Sequence, residues 1–262
     1  MNYASLSATD VAIAASLILV NGVLSLVLRL GLERQLLVAA LRTVLQLLAI
    51  GYLLGWVFAY AYWYVVLAVM ALMTLVAGLS ASGRGLRYPG QRLDSIVSIW
   101  ASSWLVSAVG LFVVIRIQPW YEPQYAIPIL GMVLGNTLTG VALGMERMTH
   151  ELQSGRATLE MVLSLGGSRW EAAQGAIRQA VRAGMLPTLN QMSVVGIVSL
   201  PGMMTGQILA GESPNEAVRY QIVIMFLIAA SSSLGTVGAV LLTYRRLFSL
   251  DHRFLAERLK GR

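Results

Sequence analysis

The chain has 262 residues, 57% of them hydrophobic and 12% charged, with a mean hydropathy of +0.71. A soluble domain carries roughly 25% charged residues, so soluble enzyme classes are excluded and an all-α, polytopic membrane protein is implied. The net charge of +7 follows membrane topology, as its distribution along the chain shows, and nucleic acid is not implied as a partner.

Seven stretches of at least 18 residues contain no Asp, Glu, Lys or Arg, and about 20 apolar residues cross a bilayer core as helix. The first, Val11 to Leu28, lacks a basic n-region and a small-residue cleavage site, so it reads as a retained span and not a signal peptide. Two more lie in tandem. The 41 uncharged residues from Thr43 to Gly83 would make a helix of about 60 Å, twice a bilayer core, and must fold back. Trp56, Phe58, Tyr60, Tyr62, Trp63 and Tyr64 mark that turn as an aromatic belt at a membrane interface. At the entry of span two, Arg42 and Gln46 lie at i and i+4 on one helical face. Arg42 either snorkels to headgroups or pairs with Glu146 or Glu160. Spans four to seven are Ser95 to Ile115, Gln124 to Met145, Ala183 to Gly211, and Tyr220 to Tyr244.

Seven spans put the termini on opposite sides. The connectors after spans one, three and five, with the tail, hold all but two of the 19 basic residues. Only Arg116 and Arg219 fall on the other side, together with Asp10, Glu122, Glu212 and Glu216. The positive-inside rule then sets the N-terminus outside and the C-terminus in the cytoplasm, in a multi-pass protein of the cell's inner (plasma) membrane. Residues 1–262 are expected to form one transmembrane domain embedded in lipid, with a cytoplasmic segment at 146–182 and a basic cytoplasmic tail at 245–262. The loops on the outer side are too short for a receptor or enzyme domain.

The long connector after span five is expected to be helix, glycine turn, helix. Leu159, Val162 and Leu163 give the first helix an apolar face, and Gly166 or Gly167 supplies the left-handed stop. Ser168 and Glu171 form an S-x-x-E capping box that opens the second helix. On that helix Trp170, Ala173, Ile177 and Val181 share one stripe, and Arg169, Arg178 and Arg182 point elsewhere. Read from periodicity alone, this is an amphipathic hairpin at the membrane surface.

Spans five and six carry the informative polar groups. Gly131, Gly135, Gly140 and Gly144 make two G-x-x-x-G pairs and Gly202 with Gly206 another, which let helix backbones approach within one chain or between two copies. Asn136, Thr137 and Thr139 follow in span five; Asn190, Gln191 and Ser193 lie in span six. Each amide must face a neighbouring helix or a water-filled path. Pro201-Gly202 is expected to break span six and leave carbonyls beside the transported species. Met192, Met203 and Met204 are close in sequence, and thioethers suit soft metals where iron prefers carboxylate and imidazole. No acid lies within a span, and His150 and His252 lie in cytoplasmic segments, so no metal site is expected. The translocation candidates are Arg42, Gln46, Asn136, Thr137, Asn190, Gln191, Pro201, Gly202, Met203 and Met204, which either line a pathway or hold helices together.

The single lysine, Lys260, sits in the tail, so no P-loop can form and no ATP is bound by that device. No cysteine is present, which removes thiolate ligands and nucleophiles. Proton- or sodium-coupled transport usually requires titratable or anionic groups at membrane depth, and these spans have none. An intramembrane metalloprotease would need H-E-x-x-H, and His150-Glu151 has no second histidine.

The run Glu160-x-x-x-x-Leu165-Gly166, ending at Leu186-Pro187, resembles the EAA-type coupling segment of ABC transporter permeases, with Met161 and Val162 standing where that segment has two alanines. Arg42-Thr-Val-Leu-Gln46-Leu47, Ile129-Leu-Gly131-Met-Val-Leu-Gly135-Asn136 and Ser199-Leu-Pro201-Gly202-Met203-Met204-Thr205-Gly206 resemble the iron-export permease family of FetB type. So do Ala217-Val-Arg219-Tyr220-Gln221-Ile222 and Leu242-Thr243-Tyr244-Arg245, in one register from about Arg29 to Phe248. Plant relatives of that family are linked to aluminium tolerance. The resemblance implies a permease subunit without catalytic residues, exporting iron or another metal or small metal complex. A separate cytoplasmic ABC ATPase would hold ATP and Mg, and a second copy of this chain would complete the complex; no cofactor is expected on this chain. Leu159, Glu160, Val162, Leu163, Leu165, Gly166 and Gly167 would then be the ATPase-coupling residues. The alternatives are an ABC permease for an organic solute such as a nucleotide sugar, an importer, and a secondary transporter.

Overall fold

The computed structural model describes residues 7–83, 85–249 and 251–259, so Lys260 and the end of the basic tail lie outside the described residues. Nearly everything described is helix, and among the described residues no strand forms beyond two isolated bridges. Met1–Tyr60 and Ala61–Arg262 are two compact units.

The first unit is a helical pair, α1 (Ala8–Val27) and α2 (Glu33–Tyr60). A Ser7–Asp10 capping box starts α1, and a tight turn through Arg29 and Gly31, both at positive φ, ends it. Ser25 pins the turn, because its buried hydroxyl donates to Glu33 at 2.8 Å and accepts from the Leu32 amide at 3.1 Å. The uncharged tandem breaks where the aromatic belt predicts: α2 stops at Tyr60, and α3 (Trp63–Ala81) begins the second unit.

That second unit continues with α4 (Gln91–Ala108), which runs on as a π-helical turn over Val109–Ile115, and α5 (Pro123–Ser154). A short α6 (Arg156–Ser164) follows, then α7 (Arg169–Val194), α8 (Gly202–Leu209) and α9 (Pro214–Leu247). At the centre is α5, which packs on α3, α4, α7 and α9. Its stripe Ile129, Leu130, Val133, Val141, Met148 and Leu152 is fully enclosed, at the three- and four-residue spacing of a helix face. Between α5 and α7 the backbones nearly touch: a Cβ on Gly184 would fall 2.5 Å from the Gly140 carbonyl oxygen. Gly140 and Gly144 therefore serve packing inside the chain, where lipid offers helices no hydrophobic reason to associate. Hydroxyls tie the rest. Ser231 of α9 hydrogen-bonds Thr137 at 2.8 Å and Ser103 at 3.3 Å, and Ser95 donates to the Gly78 carbonyl at 2.8 Å.

Six described helices are long and apolar enough to cross a membrane; of the seven expected stretches, the sixth is the one that no single long apolar helix covers. Ala183 to Gly211 is not one helix: its first part belongs to α7, Val195–Pro201 is non-helical, and α8 follows. The break starts at Val195-Gly196, with Gly196 at φ +85°, inside the β-branched run Val194-Val195-Gly196-Ile197-Val198, a poor helix former. Pro201, expected to break the helix, instead caps the start of α8. The surface hairpin is corrected too. Its second helix continues without interruption into the sixth apolar stretch, through Arg182 and Pro187, because charge marks a membrane boundary and not a helix end.

At the far end of α9 the chain folds back. Leu255 donates to the Leu247 carbonyl at 2.9 Å, and Tyr244, Phe248 and Phe254 stack in a tilted ladder at 5.3 Å between neighbours. Here Arg246 forks onto Asp94 at 3.1 and 3.2 Å. Beside them the Tyr88 hydroxyl meets Thr243 at 2.9 Å, and burial pushes its pKa up.

Candidate functional site

The connector hairpin is built by four residues between positions 166 and 171. Gly166, at φ +87°, ends α6; its amide donates to the Leu163 carbonyl at 3.1 Å and that of Gly167 to Val162 at 3.0 Å. This is the pair of bonds of a Schellman stop. Gly167 has no room for a side chain, since its Cβ would lie 2.6 Å from Val162 Cγ1. Ser168 and Glu171 then exchange the two bonds of the capping box that opens α7. Those bonds hold the Glu171 carboxyl below its usual range, and nearby His252 adds to the effect.

The hairpin does not lie loose on a surface. Arg169 donates from its amide to His252 at 2.9 Å and from its guanidinium to the Ser249 carbonyl at 3.1 Å. Trp170 meets Tyr244 edge-on at 5.7 Å. Of the coupling residues, Leu159 is 6% exposed and packs inward, whereas Leu165 is 80% exposed; Val162 and Leu163 are half-buried. Met161, outside the expected set, is also exposed. Glu160 pairs with Arg156 at 2.7 Å, one turn away, so its carboxylate is already engaged on its own helix.

The translocation candidates separate into two groups. Arg42 and Gln46 are exposed on α2 of the first unit, and the remaining eight belong to the second. Asn136 is half-buried and donates to the Met132 carbonyl of its own helix at 2.9 Å; Thr137 is fully buried against Ser231. Asn190 is exposed and Gln191 half-buried near the end of α7, with Gly202, Met203 and Met204 on α8. Beside the helix break lies a cavity of about 420 Å³, with Met192, Leu200, Pro201 and Met204 on one side and Gln221 and Met225 of α9 on the other. Of the expected set it gathers Pro201 and Met204. Gln221 was missed, although one signal pointed to it: it is the only amide side chain between Tyr220 and Tyr244. It is 7% exposed and its Oε1 has no hydrogen-bond partner among the described residues. No charged side chain lines the cavity, and among the described residues no three His, Asp or Glu side chains gather as metal ligands. Such a site can hold an apolar surface and orient one hydrogen-bond donor against the amide.

The helices define the class: an all-α, multi-pass membrane protein with no soluble domain of its own among the described residues. Residues 8–248 match the family described as "Uncharacterised protein family (UPF0014)", and the chain belongs to that family. The UPF0014 membrane protein slr1647 of Synechocystis is 41% identical over 231 residues, 86% of this chain and 88% of its own length. The probable iron export permease protein FetB of Escherichia coli is 30% identical over 260 residues, covering 99% of each chain. The protein ALUMINUM SENSITIVE 3 of Arabidopsis thaliana is 29% identical over 238 residues, 91% of this chain and 86% of its own length. No solved structure matches the chain.

Proposed function

We propose that the chain is the transmembrane permease subunit of an ABC exporter, seated with its α6 hairpin on a separate cytoplasmic ATPase and working as a pair of copies. One observation carries this reading: α6 is a nine-residue helix between two glycine stops, and it presents Leu165 outward while tail contacts fix its root. A rigid apolar projection on a braced base is what transmitting motion between subunits requires. The hairpin shares its end of the second unit with the basic residues of the α9 terminus, and the positive-inside rule puts that end in the cytoplasm.

The relatives' names support a metal as the exported species, and the cavity refines that reading. FetB is named for iron export, yet the cavity beside the helix break has no charged lining and three thioethers, from Met192, Met204 and Met225. Ferrous and ferric iron both prefer carboxylate and imidazole to thioether, so a metal leaves as a small complex whose charge is masked. An organic solute is the second reading, favoured by the same apolar walls and by the amide of Gln221.

Leu165→Asp tests the reading. Removing the apolar contact and adding a desolvated charge weakens docking by about 2 kcal/mol or more, some thirtyfold. The variant should insert normally and lose the ATPase on co-purification, together with transport in vesicles. Normal ATPase retention and normal transport by Leu165→Asp would reject the hairpin as the coupling element.

A further inference from the structure

On one face of the second unit, α4 and α9 leave a groove of about 410 Å³, away from the helix break. Its walls are Leu105, Leu234 and Leu241, its floor is Ser98 and Gly238, and Arg245 stands at one end. We propose that this groove is a binding site for one anionic phospholipid, with an acyl chain along the α4–α9 seam and the phosphate on Arg245.

Depth comes first. The uncharged run of α9 ends at Tyr244 and that of α4 begins at Ser95, and the Arg246–Asp94 pair joins the two helices at that same level. The Arg245 end is therefore the edge of the hydrocarbon, and the rest of the groove lies within it. From Leu234 to Arg245 the helix rises about 16 Å, close to the ~15 Å of one leaflet's hydrocarbon. An acyl chain anchored at the arginine thus fits from headgroup to midplane.

Charge comes second. Arg245 and Arg246 are adjacent, but only Arg246 turns inward to a carboxylate. Arg245 is exposed and has no ion pair among the described residues. A guanidinium at headgroup depth beside an apolar trough matches a phosphate that carries a net negative charge better than that of a zwitterion, whose own cation already compensates it.

The floor supplies the shape. A Cβ on Gly238 would sit 3.6 Å from Ser98 Oγ, in ordinary contact, so glycine there is not demanded by helix packing and leaves a trough open to lipid. The same hydrogen atom in place of a side chain would equally admit a helix of a second copy, which is the competing occupant.

The test uses the detergent-purified full chain, offered phosphatidylglycerol and phosphatidylcholine vesicles and read by native mass spectrometry. The wild type should retain one phosphatidylglycerol per chain in preference to phosphatidylcholine. Arg245→Ala, an exposed change, should lower that preference about fivefold, and Arg245→Lys should restore part of it. Gly238→Leu should displace both lipids by filling the trough. Arg219→Ala, at the opposite end of α9 and paired there with Glu216, should leave the preference unchanged. Equal retention by wild type and Arg245→Ala overturns the proposal, as does a loss of equal size in Arg219→Ala, which would mean bulk charge alone. The chain has no cysteine, so Leu234→Cys offers a single site; efficient crosslinking of two copies through it also overturns the proposal, because the groove would then be a protein interface.

Discussion

Gly166 and Gly167 are adjacent and are required for different reasons, which a substitution series separates. Gly166 has open space around its missing Cβ but stands at φ +87°, where an L side chain costs roughly 1–2 kcal/mol. Gly167 has an ordinary φ but no room: a Cβ would lie 2.8 Å from the Val162 carbonyl oxygen, which is backbone and cannot swing aside. Gly166→Ala should therefore loosen the turn by about 1 kcal/mol without moving α6, whereas Gly167→Val should shift α6 itself. Gly175, a helical glycine with nothing within 4 Å, is the control: Gly175→Ala should stabilise α7 slightly, by about 0.5–1 kcal/mol. Hydrogen exchange at the amides of residues 166 and 167 reads the first two, and at the amides of α7 the third. Protection at wild-type level in Gly167→Val would show that the stop does not depend on that close approach.

Helix packing in the second unit turns on which glycines are used. Gly184 and Gly140 meet backbone to backbone, and Thr236 closes the third side with its Cγ2 2.5 Å from a Cβ on Gly184. Gly135, one turn along α5 from Gly131, has nothing within 4 Å. Gly184→Leu should force α5 and α7 apart and abolish a monodisperse, folded product, whereas Gly135→Leu should be accepted with little change in melting temperature. Equal tolerance of both would mean that the α5–α7 contact is not a determinant of the fold. The sequence announces small-residue pairs by their spacing, but nothing local says which of them face a neighbour. Apolar runs gave the long helices and the aromatic belt gave the α2–α3 break, since both are properties of contiguous residues. Ser168 and Glu171 gave the start of α7 for the same reason. Contacts between distant residues were not legible: the partner of Thr137 is Ser231, 94 positions away, and the burial of Leu159 depends on where the chain returns. Gln221 was hidden differently, as one amide in an apolar run whose importance comes from a cavity formed with Met192 and Met204 of other helices.

For the whole molecule the decisive quantity is the number of hairpins. One chain presents one α6 hairpin among its described residues, and the ABC ATPase proposed as its partner would act as a dimer with two docking grooves. Both grooves can be engaged only if two copies of the chain stand side by side. Gly140 and Gly144 are already used inside the chain, whereas Gly202 and Gly206 of α8 have open space at their missing Cβ atoms. A seam between copies would then use the α8 face, where small residues let backbones approach in lipid. Native mass spectrometry of the complex should give two permeases and two ATPases. Because the wild-type chain has no cysteine, Gly206→Cys should crosslink copies only if α8 lies at the seam. Hydrolysis should vanish when the chain is purified alone. A fully active complex of one permease with one ATPase would overturn the paired arrangement, and a two-to-two complex without a Gly206→Cys crosslink would keep the stoichiometry and move the seam to another face.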